Sequence, residues 1–423
     1  MSGTTTFSLE GRGLKLTTAE DVAPYIAPLL DPSASSITSI NLQGNTLGVG
    51  ASEALASHFS KLTSLRVANL ADIFTSRLLA EIPPALSALL QALLPLQHLD
   101  TVNLSDNAFG LNTQAPLVHF LERHTPLRHL ILNNNGLGPE AGTLVANALT
   151  RLAEAKDARG GGRNSKLETI VCGRNRLENG SMAAWSRAVA AHADGLREIR
   201  MIQNGIRQEG IQTLLRDGLR KAERLRALDL QDNTFTVSAG TALADVVTGW
   251  TELEELGVGD CLLSTRGAMK LGMALSEGKN GKLKLLRLQY NEIDARGVKA
   301  IVDAAKAGSL AALQRVELNG NKFAEEDPAV EELRSLLGAR ADEHTDAADG
   351  EWGLDDLSDL EEDSDDEQGG DDEDDEDVAG GQTTEDKAER ELKRVDEAER
   401  ENVAQDKDAS VDALADQLGQ AEI

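Results

Sequence analysis

One pattern, L-x-x-L-x-L-x-x-N, recurs along most of the chain and limits what the chain can fold into. Eight copies end in asparagine, one in cysteine and one in isoleucine, at Asn45, Ile73, Asn107, Asn135, Asn175, Asn204, Asn233, Cys261, Asn291 and Asn321. A degenerate copy over residues 7–12 makes eleven. Several successive copies are 28 or 29 residues apart. Such a period is typical of an array of stacked repeats and not of separate globular domains.

Each repeat is expected to form one strand and one helix. The L-x-L core of the motif predicts a short buried strand, and the stretch after each asparagine carries apolar residues at helical spacing. This period is that of leucine-rich repeats of the ribonuclease-inhibitor-like class. We therefore predict an α/β solenoid with parallel strands on the concave side and helices on the convex side. Two longer gaps indicate insertions, an extra helix around residues 86–94 and a polar loop near Gly160.

The recurring asparagine has a structural interpretation. It follows the strand, where its side-chain amide can bond backbone groups of adjacent turns that have no partner in the sheet. Cys261 occupies the same position and is a small residue with a weak donor, so it is a plausible substitute.

Charge divides the chain. Residues 342–423 contain 34 acidic and 6 basic residues, whereas residues 1–341 contain 37 acidic and 36 basic residues. We predict a repeat domain over 1–341, an acidic disordered segment over 342–380 and a charged, helix-prone tail over 381–423. Phosphate binding needs clustered lysine and arginine. Nucleic acid is therefore excluded as the partner, and a basic protein surface is favoured.

The cysteines and the hydropathy indicate the compartment. Cys172 and Cys261 are too few for the disulfide framework of a secreted repeat protein. The first residues carry no apolar signal segment, and no stretch approaches the roughly 18 apolar residues of a membrane span. We expect a cytoplasmic protein that does not associate with membranes.

A second row of residues directly precedes the asparagine positions. We expect this row to point off the turns at the carboxyl ends of the strands, where the fold does not dictate the residue type. Its members are Gly44, Asp72, Asp106, Asn134, Arg174, Gln203, Asp232, Asp260, Tyr290 and Gly320. Most are polar and four are aspartate. Two interpretations stay open, a solvated edge and a protein-binding edge.

Two segments break the repeat pattern, and such positions are where function is expected to concentrate. In LADIFTSRLLAEIP, Ile73 replaces the asparagine, Phe74 is a large apolar residue at a turn, and Arg77 stands where a helix should be starting. In the asparagine triplet 133–135, the repeat explains only the last member. On the residues alone, Arg77 is either a surface ion pair or a candidate arginine finger.

The sequence also resembles a known family. The stretches LADIFTSRLLAEIPPAL, LSDNAFG, LILNNNGLGPEAG, VCGRNRLENGSMAAW, MIQNGIRQEGI, LDLQDNTFT, DCLLSTRGA and LQYNEI closely resemble motifs of the Ran GTPase-activating proteins, above all of the fungal members. The acidic stretch after the last repeat is similar too. The animal members carry a further C-terminal domain that tethers them at the nuclear pore. No such domain is recognised here, so the resemblance implies a freely soluble cytoplasmic protein that supports nucleocytoplasmic transport.

The resemblance implies a mechanism. The chain would bind the small GTPase Ran in its GTP form and stimulate hydrolysis by ordering the partner's own catalytic groups, without an arginine finger. Asn134 matches the family's asparagine that contacts the partner's switch region, and Arg77 matches an arginine that is needed for activity but acts outside the phosphate site. The remaining docking residues would be Asp72, Phe74, Asp106, Asn133, Arg174, Gln203, Asp232 and Asp260. The chain would act as a monomer, and a Ran-binding protein stays open as a second partner.

Independent enzyme chemistry is not expected. The nearest approach to a phosphate-binding loop, residues 272–279, has the wrong spacing and lies in a helical pattern. His119, His124 and His129 are spaced by five residues, so they do not share a helix face as metal ligands would, and surface positions are expected. We expect no cofactor and no metal. The alternative is a histone- or basic-protein-binding chaperone with an acidic tail, although such chaperones use shorter repeats.

Overall fold

The computed structural model describes residues 5–160, 166–343 and 352–361. All of them belong to one compact unit, Met1–Asp363. The predicted tail over 381–423, most of the acidic segment and the tip of the polar loop after Gly160 lie outside the described residues.

Short strands recur along the chain, most of them at the positions of the L-x-L motif. In the described part of the chain they are β1 (Thr5–Ser8), β2 (Lys15–Leu16), β3 (Ile37–Asn41), β4 (Thr46–Leu47), β5 (Val67–Asn69), β6 (Thr101–Asn103), β7 (His129–Ile131), β8 (Thr169–Val171), β9 (Glu198–Arg200), β10 (Ala227–Asp229), β11 (Glu255–Gly257), β12 (Leu285–Arg287), β13 (Arg315–Glu317) and β14 (Gly353–Leu354).

A helix follows nearly every strand. The α-helices are α1 (Ala19–Val22), α2 (Ala27–Leu30), α3 (Val49–Phe59), α4 (Ile82–Leu93), α5 (Ala115–Arg123), α6 (Gly138–Ala158), α7 (Glu178–His192), α8 (Gln208–Thr213), α9 (Thr236–Val247), α10 (Ser264–Leu275), α11 (Ala295–Lys306) and α12 (Pro328–Asp342). A π-helical turn (Leu214–Gly218) continues α8, and short 3-10 turns occupy Ala23–Tyr25, Pro32–Ser36 and Leu219–Lys221.

The strands form one long parallel sheet. Its order runs from β1 through β3 and β5 to β14, each strand pairing with its neighbour in the chain, while β2 and β4 form a separate parallel pair. Sequential parallel pairing requires a right-handed return connection after each strand, and the helices provide it. The predicted α/β leucine-rich-repeat solenoid is confirmed.

The core lies between the sheet and the helices. In a typical strand the middle side chain is buried and its two neighbours are half-buried, as in β6, β7 and β8 around Val102, Leu130 and Ile170. Alternation on a three-residue strand places only the middle residue against the helices. Each repeat thus buries one face against the next, which is why the array is stable only when stacked.

The asparagine positions form the predicted ladder. Asn135 is buried, and its Nδ2 donates to the carbonyl oxygens of Leu104 and Leu132 at 3.1 and 3.0 Å. Its Oδ1 accepts from the backbone N–H of Asn107 at 2.9 Å. Cys261 makes the equivalent contacts, since its thiol donates to the Leu230 carbonyl at 3.4 Å. The structural interpretation of both residue types is confirmed.

The first insertion differs from the expected extra helix. The helix near residues 86–94 is α4, the ordinary helix of its repeat. The additional residues instead form the loop 74–81, between the strand end and the helix start. In the second insertion α6 itself is long and runs to Ala158.

The folded unit extends past residue 341. Within the interval predicted as disordered, β14 pairs with β13, and the Asp355 carboxylate accepts from the backbone N–H groups of Leu318 and Asn319 at 2.7 and 3.0 Å. Leu357 is buried, and Leu354 and Leu360 pack against the core. We call residues 352–361 the C-terminal cap. The acidic composition predicted disorder, but the spaced leucines pack on the last repeat. The predicted disorder is therefore wrong for residues 352–361.

Candidate protein-binding edge of the sheet

The row that precedes the asparagine positions, here called the rim, shares one backbone conformation. All ten members have a positive φ between 47° and 74°: Gly44, Asp72, Asp106, Asn134, Arg174, Gln203, Asp232, Asp260, Tyr290 and Gly320. The sharp exit from each strand demands this left-handed geometry. The N–H groups of the nine rim members from Gly44 to Tyr290 donate to the neighbouring turn, as Asn134 does to the Gly173 carbonyl at 2.9 Å.

The fold therefore influences residue type at the rim, contrary to the expectation from sequence. Glycine adopts left-handed backbone without strain, and asparagine and aspartate tolerate it better than other residues. The aspartates, Asn134 and the terminal glycines fit that preference. Arg174, Gln203 and Tyr290 do not, so their side chains need another explanation.

Asn134 and Asp106 form a pair on adjacent turns. Both side chains are exposed, and Asn134 Nδ2 donates to Asp106 Oδ1 at 2.8 Å. Because a carboxylate only accepts, the contact fixes which end of the amide faces Asp106. The Asn134 oxygen is thereby turned away from Asp106, at the outer edge of the sheet.

Asn133 is held between turns. Its Oδ1 accepts from the Gly173 N–H at 2.7 Å, and its own N–H donates to Ser105 Oγ at 3.1 Å. The side chain is half-buried. Asn133 and Asn135 together fix the turn from which Asn134 projects.

Phe74 occupies the core and not the edge. Its side chain is 4% exposed, and its ring lies 6.3 Å from that of Phe109. In the other repeats a buried apolar residue stands two positions after the asparagine slot, for example Leu137. Phe74 fills this site one position early, directly after Ile73. This placement corrects the expectation that Phe74 is a docking residue.

Arg77 is engaged by the first two repeats. Its Nε and Nη2 donate to the Thr46 hydroxyl and carbonyl, both at 2.9 Å. Nη1 donates to Thr17 Oγ1 at 3.0 Å, and Nη2 also reaches the Leu16 carbonyl at 3.2 Å. The guanidinium therefore ties the loop 74–81 to β2 and β4. Neither a surface ion pair nor a projecting finger describes this geometry.

Each half of the rim carries two aspartates, Asp72 and Asp106 in the first half and Asp232 and Asp260 in the second. Burial raises the pKa of Asp232, and the Asp260 carboxylate raises it further, while a hydrogen bond from Gln203 opposes the change. The Asp72 carboxylate, in the other half, accepts from the Thr75 hydroxyl within its own turn. Adjacent like charges favour a positively charged partner at this edge.

Tyr290 was absent from the predicted docking residues. Its hydroxyl donates to Asp359 Oδ2 of the cap at 2.9 Å, and this bond raises the pKa of the phenol. Its ring covers Gly320, where a Cβ would lie 2.1 Å from it. The unusual aromatic residue in a row of small polar ones was the available signal.

Two further candidates for chemistry, His124 and the segment 272–279, lie in structural positions. His124 is buried, stacked on Phe120 and within 2.7 Å of the Leu99 carbonyl, so the predicted surface position is wrong for this histidine. The segment 272–279 begins inside α10. Among the described residues no cluster of metal-ligating side chains occurs. None of the described helices is long and apolar enough to span a bilayer.

Comparison with known proteins identifies a matching family model and relatives of the chain. A leucine-rich-repeat family model matches residues 279–302. Ran GTPase-activating protein 1 of Saccharomyces cerevisiae is 41% identical over 335 residues, covering 78% of this chain and 81% of the yeast protein. Ran GTPase-activating protein 2 of Caenorhabditis elegans is 40% identical over 208 residues, covering 48% of this chain and 21% of the nematode protein.

Among solved structures, a chain in the complex of Rad7 and Elc1 from yeast has a TM-score of 0.46 at 14% identity, covering 74% of this chain and 77% of that one. The sequence relatives confirm the resemblance that the motifs carry. The chain belongs to the family of Ran GTPase-activating proteins.

Proposed function

We propose that the chain binds the small GTPase Ran in its GTP form and accelerates its GTP hydrolysis. The observation that carries this proposal is the 41% identity to the yeast Ran GTPase-activating protein along most of both chains. The rim supports it, because an exposed amide at Asn134 stands on a turn that is fixed on both sides. A protein that orders a partner's catalytic groups needs such a rigid contact.

The chain acts without an arginine finger. An inserted arginine neutralises charge on the transferred phosphoryl group, which requires a guanidinium free to leave its own protein surface. Arg77 donates four hydrogen bonds to Leu16, Thr17 and Thr46, and withdrawing it would break all of them. Arg77 is thus a positioning residue that holds the loop beside the rim.

Asn134 supplies the activating contact. Hydrolysis needs an in-line water and an oriented glutamine on the GTPase, and both are mobile without a partner. The Asn134 amide, with its nitrogen held by Asp106, meets the switch region and restricts these groups to the reactive arrangement. The chain contributes order and no reacting atom, so it has no active site of its own.

The acidic part of the rim selects a basic partner surface. Asp232 and Asp260 lie on successive turns beside Arg174 and Gln203, and opposite charge on the GTPase steers its approach. We propose that the chain acts as a cytoplasmic monomer in nucleocytoplasmic transport. The repeat period of 28 to 29 residues argues against the chaperone alternative.

A single-turnover assay tests the proposal. The chain, mixed with GTP-loaded Ran, should accelerate phosphate release by about 10⁴- to 10⁵-fold, as GTPase activators do elsewhere. Ras and Rho proteins should not respond. Absence of stimulation of Ran, or equal stimulation of all three, would contradict the assignment.

Arg174 provides the test of the arginine-free mechanism, since its guanidinium is exposed at the rim one turn from Asn134. Arg174→Ala should weaken binding while leaving the maximal hydrolysis rate within about threefold of wild type. A loss of about 10³-fold in the maximal rate is the mark of an arginine finger and would overturn that mechanism.

A further inference from the structure

Two consecutive repeats carry enlarged loops at the rim edge. In a typical repeat the helix starts within one turn of the ladder asparagine, as α6 does after Asn135. In contrast, α4 starts only at Ile82 and α5 only at Ala115. The extra residues form the loops 74–81 and 108–114, which leave the sheet at the edge that bears Asp72, Asp106 and Asn134. Loops on a rigid scaffold are common sites of binding.

These loops expose aliphatic side chains. Leu78 is 72% exposed, Leu79 is 61% exposed and Leu111 is 53% exposed. Single exposed leucines are ordinary on protein surfaces and need no explanation. Three exposed leucines on the two loops that follow Asp72 and Asp106, beside a polar rim, match the composition of an interface.

The loop of Leu78 is held in place by hydrogen bonds. The Leu78 N–H donates to Glu81 Oε2 at 3.0 Å, and the Glu81 N–H donates to the Leu78 carbonyl at 2.9 Å. The preceding residue, Arg77, is tied to β2 and β4. Leu78 and Leu79 therefore stay at the surface although burial would be favourable.

The loop of Leu111 is held in the same manner. Thr113 Oγ1 donates to the Ala108 carbonyl at 3.0 Å, and the Thr113 N–H donates to the Gly110 carbonyl at 3.0 Å. Ordering a loop on binding costs free energy, and a loop that is already fixed avoids most of that cost. Both loops are thus prepared to receive a partner.

We propose that Leu78, Leu79 and Leu111 form the apolar anchor by which this edge docks its GTPase partner. The inference rests on the proposed function and adds the side chains that supply affinity. Its occupant is the GTPase because the two loops follow directly on the rim residues Asp72 and Asp106, and the Asp106 carboxylate accepts from Asn134. The docking face of the partner must present apolar side chains beside basic ones, to match the leucines and the rim aspartates.

The anchor acts on binding and not on chemistry. None of the three leucines carries a group that can orient water or neutralise phosphate charge. Their contacts are made equally in the bound complex and in the transition state, so their loss raises KM and leaves kcat unchanged.

The test is steady-state and single-turnover hydrolysis of Ran-bound GTP by the full chain carrying Leu78→Ser, Leu79→Ser and Leu111→Ser together. We expect KM to rise by at least about tenfold, as for removal of a central apolar contact, with kcat within about twofold of wild type. Restoring aliphatic side chains with methionine at all three positions should recover most of the affinity. The melting temperature should not change, because the three side chains are exposed.

Met273→Ser is the matched control. Met273 is 69% exposed and lies in the last turn of α10, at the end of the helix that is far from the rim. This variant should behave like wild type. If the wild-type chain stimulates Ran but the triple variant keeps its KM, or loses kcat at unchanged KM, the anchor is overturned while the proposed function stands. If the wild-type chain leaves Ran unstimulated, the proposed function itself fails.

Discussion

Left-handed backbone at the rim divides its side chains into two groups. For most L-residues this conformation is unfavourable by roughly 1 kcal/mol, and it is less unfavourable for asparagine and aspartate. The composition of Asp106, Asn134 and Asp260 is therefore partly a consequence of the turn. Arg174 and Gln203 occupy the same conformation without that advantage. The Gln203 side chain donates to the Asp232 carboxylate, whereas Arg174 is exposed, and we infer that Arg174 contacts the partner.

Arg77 links the loop 74–81, beside the rim, to the N-terminal repeats, and a substitution of Arg77 tests that link. Arg77→Ala should leave the solenoid folded but free the loop 74–81. Displacing groups near a reaction centre by about 1 Å costs on the order of 100-fold in rate, so activation should fall by at least that factor. Single-turnover hydrolysis measures the loss.

Arg77→Lys is the companion variant. An ammonium group cannot reproduce the fork that reaches Thr17 and Thr46 together, so rescue should be poor. Full activity in the lysine variant would mean that positive charge alone matters and would contradict the positioning role.

Lys156 gives a pH-dependent prediction. Its side chain is buried and donates to the carbonyls of Thr125 and Leu127, and burial, with the charges of Lys166 and Arg128, lowers its pKa to about 8. In the unfolded chain the value is near 10.5. Between these values the unfolded state holds the proton and the folded state does not. The unfolding free energy therefore rises with pH across that window.

Lys156→Met removes this contribution. The unfolding free energy of wild type relative to the variant should increase by on the order of 2 kcal/mol from about pH 7.5 to about pH 10. Urea unfolding at several pH values measures it. A difference that stays constant across the window would show that Lys156 titrates normally.

At the scale of elements, the repeat pattern predicts the strands and the ladder because the side chain at a given motif position has the same role in every repeat. Asn135 and Cys261 were interpretable from their positions for that reason. Phe74 was not, because its buried position comes one residue earlier than in the other repeats, and the repeat period does not reveal that shift. The extra helix predicted around residues 86–94 is α4, the ordinary helix of its repeat, and the inserted residues form the loop 74–81.

The cap escaped prediction because its leucines are spaced among acids. Once paired with β13, that segment covers the exposed edge of the last strand, as terminal repeats must. Composition gives only the average residue content of a segment and not the spacing of its apolar residues. Here Leu354, Leu357 and Leu360 outweigh the charged residues between them.

Truncation tests the cap. A chain that ends at residue 345 should unfold at lower urea than one that ends at Asp363, because it loses the bonds to Leu318 and Asn319 and the burial of Leu357. Leu357→Ala alone should lower the unfolding free energy by about 2 kcal/mol. Equal midpoints for the two truncated chains would mean that the cap adds no stability.

At the scale of the whole molecule, a neutral repeat domain carries a strongly acidic continuation. The residues beyond 363 lie outside the described part of the chain, and we propose that they attract the basic surface of the GTPase. A chain that ends at Asp363 should then associate several-fold more slowly at low ionic strength. The difference should vanish towards 1 M salt, where the screening length is about 3 Å. Stopped-flow association across salt concentrations decides, since equal rates at low salt would leave the acidic residues without a steering role.

We propose that Asn134 activates the GTPase from a turn held by Asn133 and Asn135. Asn134→Gly tests this proposal, since glycine accepts the left-handed backbone while the side chain and its bond to Asp106 are removed. At saturating activator, single-turnover hydrolysis of Ran-bound GTP should fall by about 100-fold, with the melting temperature unchanged. Asn135→Ala should instead lower the melting temperature and preserve the rate of the folded fraction. A wild-type rate in Asn134→Gly would show that the Asn134 side chain does not supply the activating contact.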